Sequence, residues 1–398
     1  MSNQFHVSYI VAATRLPVAK RNGMFRHVRP DDMLAHAIKS VLDKCPAIDR
    51  ARIGDVIVGC AMPEAEQGMN VARIGVLLAG LPNTVPGITI NRFCSSGLQA
   101  VADAANQIRL GLADVIVAAG TESMTAMPQM MGNKVAINPG IFNNEHLGIA
   151  YGMGLTAEKV AMQWQISRDE QDAFAAESHR RASSAIAAGH FAAEISPYAF
   201  QERLPDLATG KVRVKDRQAT TDEGPRSDST AEKLGKLRPV FHAKGSVTAG
   251  NSSQMSDGAG AVLLVSEKVL KEYNLTPLAR FAGYAVAGVA PEIMGIGPIA
   301  AIPKVLQQVG IRQDDLGWIE LNEAFAAQAL AVTKELGLNP ETINPLGGAI
   351  ALGHPLGATG AIRTATIIHG MQRTQAKYGM VSMCIGTGMG AAGIFERL

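Results

Sequence analysis

Two stretches far apart in this chain share one plan, and that constrains the fold more than any other feature. "GITINRFCSSGLQAVADAANQIRLG" is followed by "DVIVAAGTESM" in the first half. "INPLGGAIALGHPLGATGAIRTATIIHGM" is followed by "GMVSMCIGTGMGAAGIFE" in the second. Each gives a reactive residue, a string of small residues, a helical segment, and an apolar strand ending in a glycine turn. Duplicated βα halves would meet across a pseudo-twofold axis and bring equivalent loops together. Cys94, His354 and Cys384 would then share one cavity despite their separation in sequence. Gly/Ala-rich α/β segments also look alike by chance, so the likeness alone leaves both readings open.

A chain of 398 residues predicts two or three domains with sizeable cores. An apolar content of 47%, rich in Gly and Ala, suits an α/β protein with strands buried on both faces. The net charge of +2 gives no electrostatic footprint for nucleic acid. No apolar run reaches the length of a spanning helix. "MSNQFHVSYIVAATR" lacks a basic n-region, so no secretory signal is expected. Four cysteines (Cys45, Cys60, Cys94, Cys384) are too few for a disulfide framework and point to a reducing cytoplasm.

The texture divides the chain in three. Residues 1–122 alternate buried strands ("YIVAAT", "DVIVGCAM") with helices such as "PDDMLAHAIKSVLDK", whose acidic first turn suits the helix dipole. Residues 123–250 are richer in Met, Pro and Asn, then polar and turn-rich, with a capping box at Ser167 and Glu170. They read as an inserted, more exposed module. The apolar pattern resumes at 251–275, and residues 276–398 alternate strand and helix again.

Cys94 follows the strand-like "GITIN" and precedes a stripe of Leu98, Val101, Ala105 and Ile108 at helical spacing, with Gly111 as C-terminal cap. That places it at a strand-to-helix junction, beside Ser95 and Ser96 as candidate N-caps. Free N–H groups and the helix dipole favour a thiolate there; a small buried thiol filling a turn is the competing reading. His354 stands beside Pro355, which suits the first position of a helix, and among Gly353, Gly357 and Gly360, whose spacing by four and three puts them on one helix face and lets another backbone come close. A neutral imidazole there can take a proton from Cys94, or be a satisfied core histidine. Cys384 ends an apolar strand, and Gly386 after it can offer an N–H to an oxyanion. Gly388, Gly390 and Gly393 match a dinucleotide fingerprint, but too little chain follows for its helix and ribose partner. Asn322, before a helical run, can hold a water or a carbonyl, or cap the helix. No C-x-x-C spacing supports a metal site, so none is expected.

Taken in order, "NRFCSSGLQA", "NEAFAAQ", "GGAIALGHPLGATG" and "CIGTGMG", with "TAGNSSQMSDGAGA", closely resemble the thiolase family of thiolytic acyl-CoA acyltransferases, over essentially the whole chain. The resemblance implies a five-layer α-β-α-β-α core of two similar halves, with an inserted loop domain that binds coenzyme A. It implies Cys94 as the acylated nucleophile, His354 as its activator and Cys384 as second acid/base. Asn322 and His354 would form one oxyanion hole, and the N–H groups of Cys94 and Gly386 the other. Arg226, Ser253, Met153, Ala249, Phe241 and Phe325 match coenzyme A or substrate contacts. Coenzyme A is then a co-substrate, with no permanently bound cofactor, and the assembly a homodimer or homotetramer. Gly152 stands where the acetoacetyl-forming branch usually has His, and Thr387 where it usually has Gly. With Ser95, they look more like the degradative 3-ketoacyl-CoA branch. The rival readings are an acetyl-CoA C-acetyltransferase and a non-catalytic acyl-CoA or lipid carrier on the same scaffold. A decarboxylating ketosynthase, which shares the fold, is disfavoured by Cys384.

Overall fold

The computed structural model describes residues 6–126, 138–148 and 152–398. The first half contributes β1 (Ser8–Arg15), α1 (Pro30–Asp43), β2 (Asp55–Gly59), α2 (Val71–Leu78), β3 (Ile88–Ile90), α3 (Ser96–Arg109), β4 (Val115–Ser123) and β5 (Ser256–Ser266). The second contributes β6 (Ala279–Gly288), α4 (Gly297–Val309), β7 (Leu316–Leu321), α5 (Ala326–Leu336), α6 (Thr359–Thr374), β8 (Tyr378–Ile385) and β9 (Met389–Arg397).

The strand pairing repeats between the halves. In the first, β2 lies parallel between β3 and β4, β4 is antiparallel to β5, and β5 to β1. In the second, β7 and β8 are parallel, β8 is antiparallel to β9, and β9 to β6. Strand β3 has a reduced counterpart, a single parallel bridge between Ile343 and Ile319 of β7. The duplication read from the sequence is therefore structural: α3 and α6 occupy equivalent places, each leading into the strand β4 or β8. The two sheets touch through β1 and β6 at just two residue pairs, Tyr9–Arg280 and Ile10–Ala279.

Five layers result. Helices α1 and α2 cover one face of the first sheet, α3 and α6 fill the space between the sheets, and α4 and α5 cover the far face of the second. Strands β4 and β5 are buried along their whole length, which is why their central stretches read as apolar runs. Helix α1 opens on Pro30 with Asp31 and Asp32 in its first turn, and buries Met33, Leu34, Ile38 and Val41.

Helix α3 is the predicted amphipathic helix, and it buries more than the predicted stripe. Its predicted stripe is buried, but so are Ala100, Ala102 and Ala104 behind it. Small residues let the helix be enclosed between two sheets, and they let α3 and α6 cross almost backbone to backbone. A Cβ added to Gly360 would lie 2.0 Å from the Leu98 nitrogen, and one added to Gly97 would lie 2.7 Å from that of Ala361.

The chain between β4 and β5 holds helices at Met153–Gln163 and Arg168–Ala187 and a hairpin of Tyr198–Asp206 with Lys211–Ala219. The capping box at Ser167 and Glu170 is present in both directions. A buried ion pair fastens this region to β1: Arg15 reaches Glu194 at 2.6 Å and Asp222 at 2.7 Å. Among the described residues no helix is long and apolar enough to cross a membrane. Nor is any group of three or more His, Cys, Asp or Glu side chains there placed to hold a metal ion.

Candidate active site

Cys94 sits in a 3-10 turn, Phe93–Ser95, directly before α3. The turn is built by its polar neighbours. Asn91 Oδ1 accepts from the Phe93 N–H at 2.8 Å, and Ser96 Oγ accepts from the Arg92 N–H at 2.9 Å while donating to the Phe93 carbonyl at 2.7 Å. Phe93 is held at φ +43°, a left-handed conformation that costs a bulky side chain energy and marks an over-determined turn. Ser95 and Ser96 are therefore not side-chain N-caps; Ser96 bonds back into the turn instead.

The half-buried Cys94 thiol has its pKa pushed up to about 11, chiefly by desolvation. The N–H groups of Gly386 and of Cys94 itself point at the sulfur and pull the other way, and the nearby Glu122 raises it further. This corrects the expectation that the helix terminus would hold a thiolate. Burial outweighs the dipole, and the resting nucleophile candidate is a thiol.

His354 follows Gly353, whose φ of +91° turns the chain out of helical conformation. Pro355 precedes a 3-10 turn, Leu356–Ala358, so it does not open α6, and the three glycines do not share one helix face. The close approach they permit is real for two of them. A Cβ on Gly357 would meet the Ala61 nitrogen at 2.5 Å, as Gly360 meets Leu98.

The imidazole is buried, and its Nδ1 lies 2.6 Å from Thr359 Oγ1. Thr359 donates its own proton to the Pro355 carbonyl at 2.9 Å, so Nδ1 carries the ring hydrogen and Nε2 is the free base. Nε2 faces Asn322 Nδ2 at 3.3 Å. Desolvation, helped by Arg363, lowers the His354 pKa to about 3, so the ring is neutral.

Asn322 does not cap a helix, because Phe325 occupies the N-cap of α5. Its Oδ1 is buried with no partner among the described residues, which leaves an acceptor aimed beside the His354 ring.

Cys384 is the next-to-last paired residue of β8, buried, its thiol pushed up by desolvation and by the neighbouring Cys94. The Phe93–Ser95 turn packs against both β8 and the Leu356–Ala358 turn. The structure thus brings together Cys94, Cys384, Gly386, Asn322 and His354. Thr387 follows in a left-handed conformation, φ +68°.

Around Cys384 pack Met153, Ala157, Met294, Ala324 and Phe325. The Ser253 N–H bonds the Ala324 carbonyl at 2.9 Å, and Phe241 meets Phe325 edge to face at 6.1 Å. Arg226 and Ala249 are exposed and lie outside this buried cluster. Arg226 is anchored through its N–H to His179 Nδ1 at 3.2 Å. Sequence reasoning missed Thr359, which orients the imidazole, and Glu122, an acid inside an apolar strand. That lone acid was the available signal for the second.

These ionisation states predict how Cys94 reacts. Only the thiolate is alkylated, so iodoacetamide modification should climb about tenfold per pH unit towards the pKa of about 11. His354, neutral above its pKa of about 3, should add no step near pH 6.5. Peptide mass spectrometry of Cys94 at a series of pH values checks this; a plateau below about pH 8 would contradict it.

The fold and site define an acyl-transfer enzyme of two similar halves. Residues 8–268 match the family "Thiolase, N-terminal domain" and residues 275–397 match "Thiolase, C-terminal domain". The chain belongs to the thiolase family. It is 48% identical over 390 residues to 3-ketoacyl-CoA thiolase of Bacillus subtilis, covering 97% of this chain and 98% of that protein. It is 45% identical over 392 residues to the peroxisomal 3-ketoacyl-CoA thiolase 2 of Arabidopsis thaliana, covering 98% and 83%. The structure of Bacillus anthracis acetyl-CoA acetyltransferase superposes with a TM-score of 0.89 at 39% identity over the full length of both. Human mitochondrial 3-ketoacyl-CoA thiolase superposes with 0.88 at 36%, covering 99% of this chain and 100% of that one.

Proposed function

We propose that this protein is a 3-ketoacyl-CoA thiolase, which splits a 3-ketoacyl-CoA with coenzyme A into a shortened acyl-CoA and acetyl-CoA. One observation carries the chemistry: a half-buried thiol and a buried one lie side by side in a site with a neutral imidazole whose Nε2 carries no hydrogen.

In the first half-reaction Cys94 gives its proton to His354 Nε2, and Sγ attacks the substrate's C3 carbonyl. The resulting oxyanion suits the N–H groups of Gly386 and Cys94, which already converge on that sulfur. Collapse breaks the C2–C3 bond and leaves an acyl group on Cys94. The acetyl-CoA enolate oxygen faces the protonated His354 and a water on Asn322, and its carbon takes a proton from Cys384. In the second half-reaction the coenzyme A thiol returns a proton to Cys384 and attacks the acyl group. Cys94 leaves and recovers its proton from His354. Coenzyme A is a co-substrate, and no step calls for a bound cofactor.

We assign the coenzyme A contacts to Arg226, Ala249, Ser253, Met153, Phe241 and Phe325, and the binding module to residues 123–250, between N-terminal (1–122 with 251–275) and C-terminal (276–398) halves. The packing of Phe241 on Phe325 and of Met153 on Cys384 supports a narrow channel to the thiols. We further propose a homodimer or homotetramer in a reducing compartment such as the cytoplasm. Ile88 on the short edge strand β3, with Leu77 and Leu78 on α2, is exposed and would suit a second copy.

An acetyl-CoA C-acetyltransferase remains the second reading, favoured by the superposition on the Bacillus anthracis enzyme of that name. Gly152 and Thr387, with the names of the full-length relatives, favour the first. Intact-mass measurement after mixing with 3-ketoacyl-CoAs of several chain lengths tests both. Longer acyl groups on the Cys94 peptide support the first reading; acylation and cleavage confined to acetoacetyl-CoA support the second. Acyl-CoA bound without any covalent adduct or turnover would point to a carrier.

A further inference from the structure

Glu122 is fully buried at the end of β4, has no cation within ion-pair distance among the described residues, and takes no part in the chemistry above. Every hydrogen bond it makes is accepted. Its Oε2 receives the Ala61 N–H at 2.8 Å and the Gly357 N–H at 2.8 Å, and its Oε1 receives Gln67 Nε2. Gln67 is locked in that orientation, because its own Oε1 accepts the Ser123 N–H at 2.9 Å. Burial raises the pKa of this carboxyl, while the three donors pull the other way and favour the anion.

The two backbone groups on Oε2 lead to the two reacting side chains. Gly357 belongs to the turn that follows His354. Ala61 leads to the nucleophile: its carbonyl accepts Asn91 Nδ2 at 3.0 Å, and Asn91 Oδ1 accepts the N–H of Phe93, the left-handed residue before Cys94. Glu122 also holds in β4 the place that Cys384 holds in β8. Each is the next-to-last paired residue of its strand against the antiparallel neighbour. One half puts a reacting thiol there, the other a carboxylate that reacts with nothing.

We propose that Glu122 is a positioning residue of the acyl-transfer centre, locking the Cys94 turn to the His354 loop through a single carboxylate oxygen. This rests on the thiolase reading of Cys94 and His354. Glu122→Gln keeps the shape but sets an amide N–H₂ against either the backbone donors or Gln67. Gln67 cannot turn over to relieve this without losing Ser123.

Both nucleophile geometry and local charge should respond. The kcat for thiolysis is expected to fall about tenfold or more, with KM for both substrates within about twofold, since small misplacements at a reacting centre are costly. The alkylation profile of Cys94 should shift to lower pH. The titratable groups about Cys94 are Glu122 and Cys384, with Cys60 beside Glu122 and Tyr284 on the neighbouring Ser95, and the variant replaces only the Glu122 carboxyl. A residue that merely stabilised the fold would leave that profile unmoved. Support requires both the selective fall in kcat and the downward shift. Turnover at the wild-type rate, or a fall with an unmoved profile, overturns the role.

Asn91→Ala, at an exposed position, is the second variant, and it decides the matter if Glu122→Gln does not fold. It breaks the link to Phe93 without changing charge, so kcat should fall with the alkylation profile unchanged; wild-type turnover there overturns the lock. A wild-type protein that cleaves no 3-ketoacyl-CoA overturns the thiolase reading itself. An active wild type with equally active variants overturns only the positioning role.

Discussion

Cys94→Ala is expected to lower thiolysis about 10⁴-fold or more while the protein folds normally. The covalent intermediate needs a sulfur at this position, and no other side chain is placed to replace it. Cys384 lies close by, but it is the next-to-last residue of β8 and is buried within the Phe325 cluster. The residual rate should reflect substrate alignment and the oxyanion donors alone. Because Cys94 is half-buried in a short turn, losing its sulfur should cost the fold little. The checks are kcat with saturating coenzyme A, the absence of an acyl adduct in the intact mass, and a thermal midpoint within a few degrees of wild type. Thiolysis within about tenfold of wild type would remove Cys94 from the mechanism.

Gly360→Ala should have the largest effect on folding. The added methyl would sit 2.0 Å from the Leu98 nitrogen, against the backbone of α3. No rotamer change can clear a backbone atom, so α3 and α6 must move apart and the two sheets with them. Overpacking at flexible side chains costs about 1–3 kcal/mol, and a backbone clash in the central layer should exceed that. The expected result is little soluble protein, or a thermal midpoint lowered by several degrees with a disproportionate loss of kcat. Gly235→Ala is the control. Nothing lies within 4 Å of its added Cβ, and Ala favours helix by about 1 kcal/mol over Gly. A stable, active Gly360→Ala protein would mean that the central helices tolerate separation.

Much of the fold could be read from residues because its signals are local. Buried strands such as "VIVAAG" are continuous apolar runs, and the capping box at Ser167 fixes a helix start. The reactive residues were visible because small residues and turns cluster about them, and the duplicated plan indicated that they meet. Electrostatics was not legible in the same way. A helix terminus favours a thiolate, yet the pKa of Cys94 is high because of desolvation, which depends on both sheets being present. The apolar stripe of α3 was legible, but the width of its buried face was not: alanines look neutral until a second layer closes over them. Thr359, Asn91 and Glu122 act through hydrogen bonds across long separations in sequence, and no periodicity announces them.

The narrow splice between the sheets bears on how the chain becomes dangerous to its surroundings. Each half supplies one partner of the acyl-transfer pair, and β1 meets β6 over only two residue pairs. The halves are joined chiefly through α3 and α6; Cys94 lies in the turn just before α3, and His354 in the loop that leads into α6. Docking of these two helices is thus also the act that arms the enzyme. A chain caught half-assembled has a sulfhydryl without its base and without the Gly386 donor, and so cannot carry the acyl transfer through.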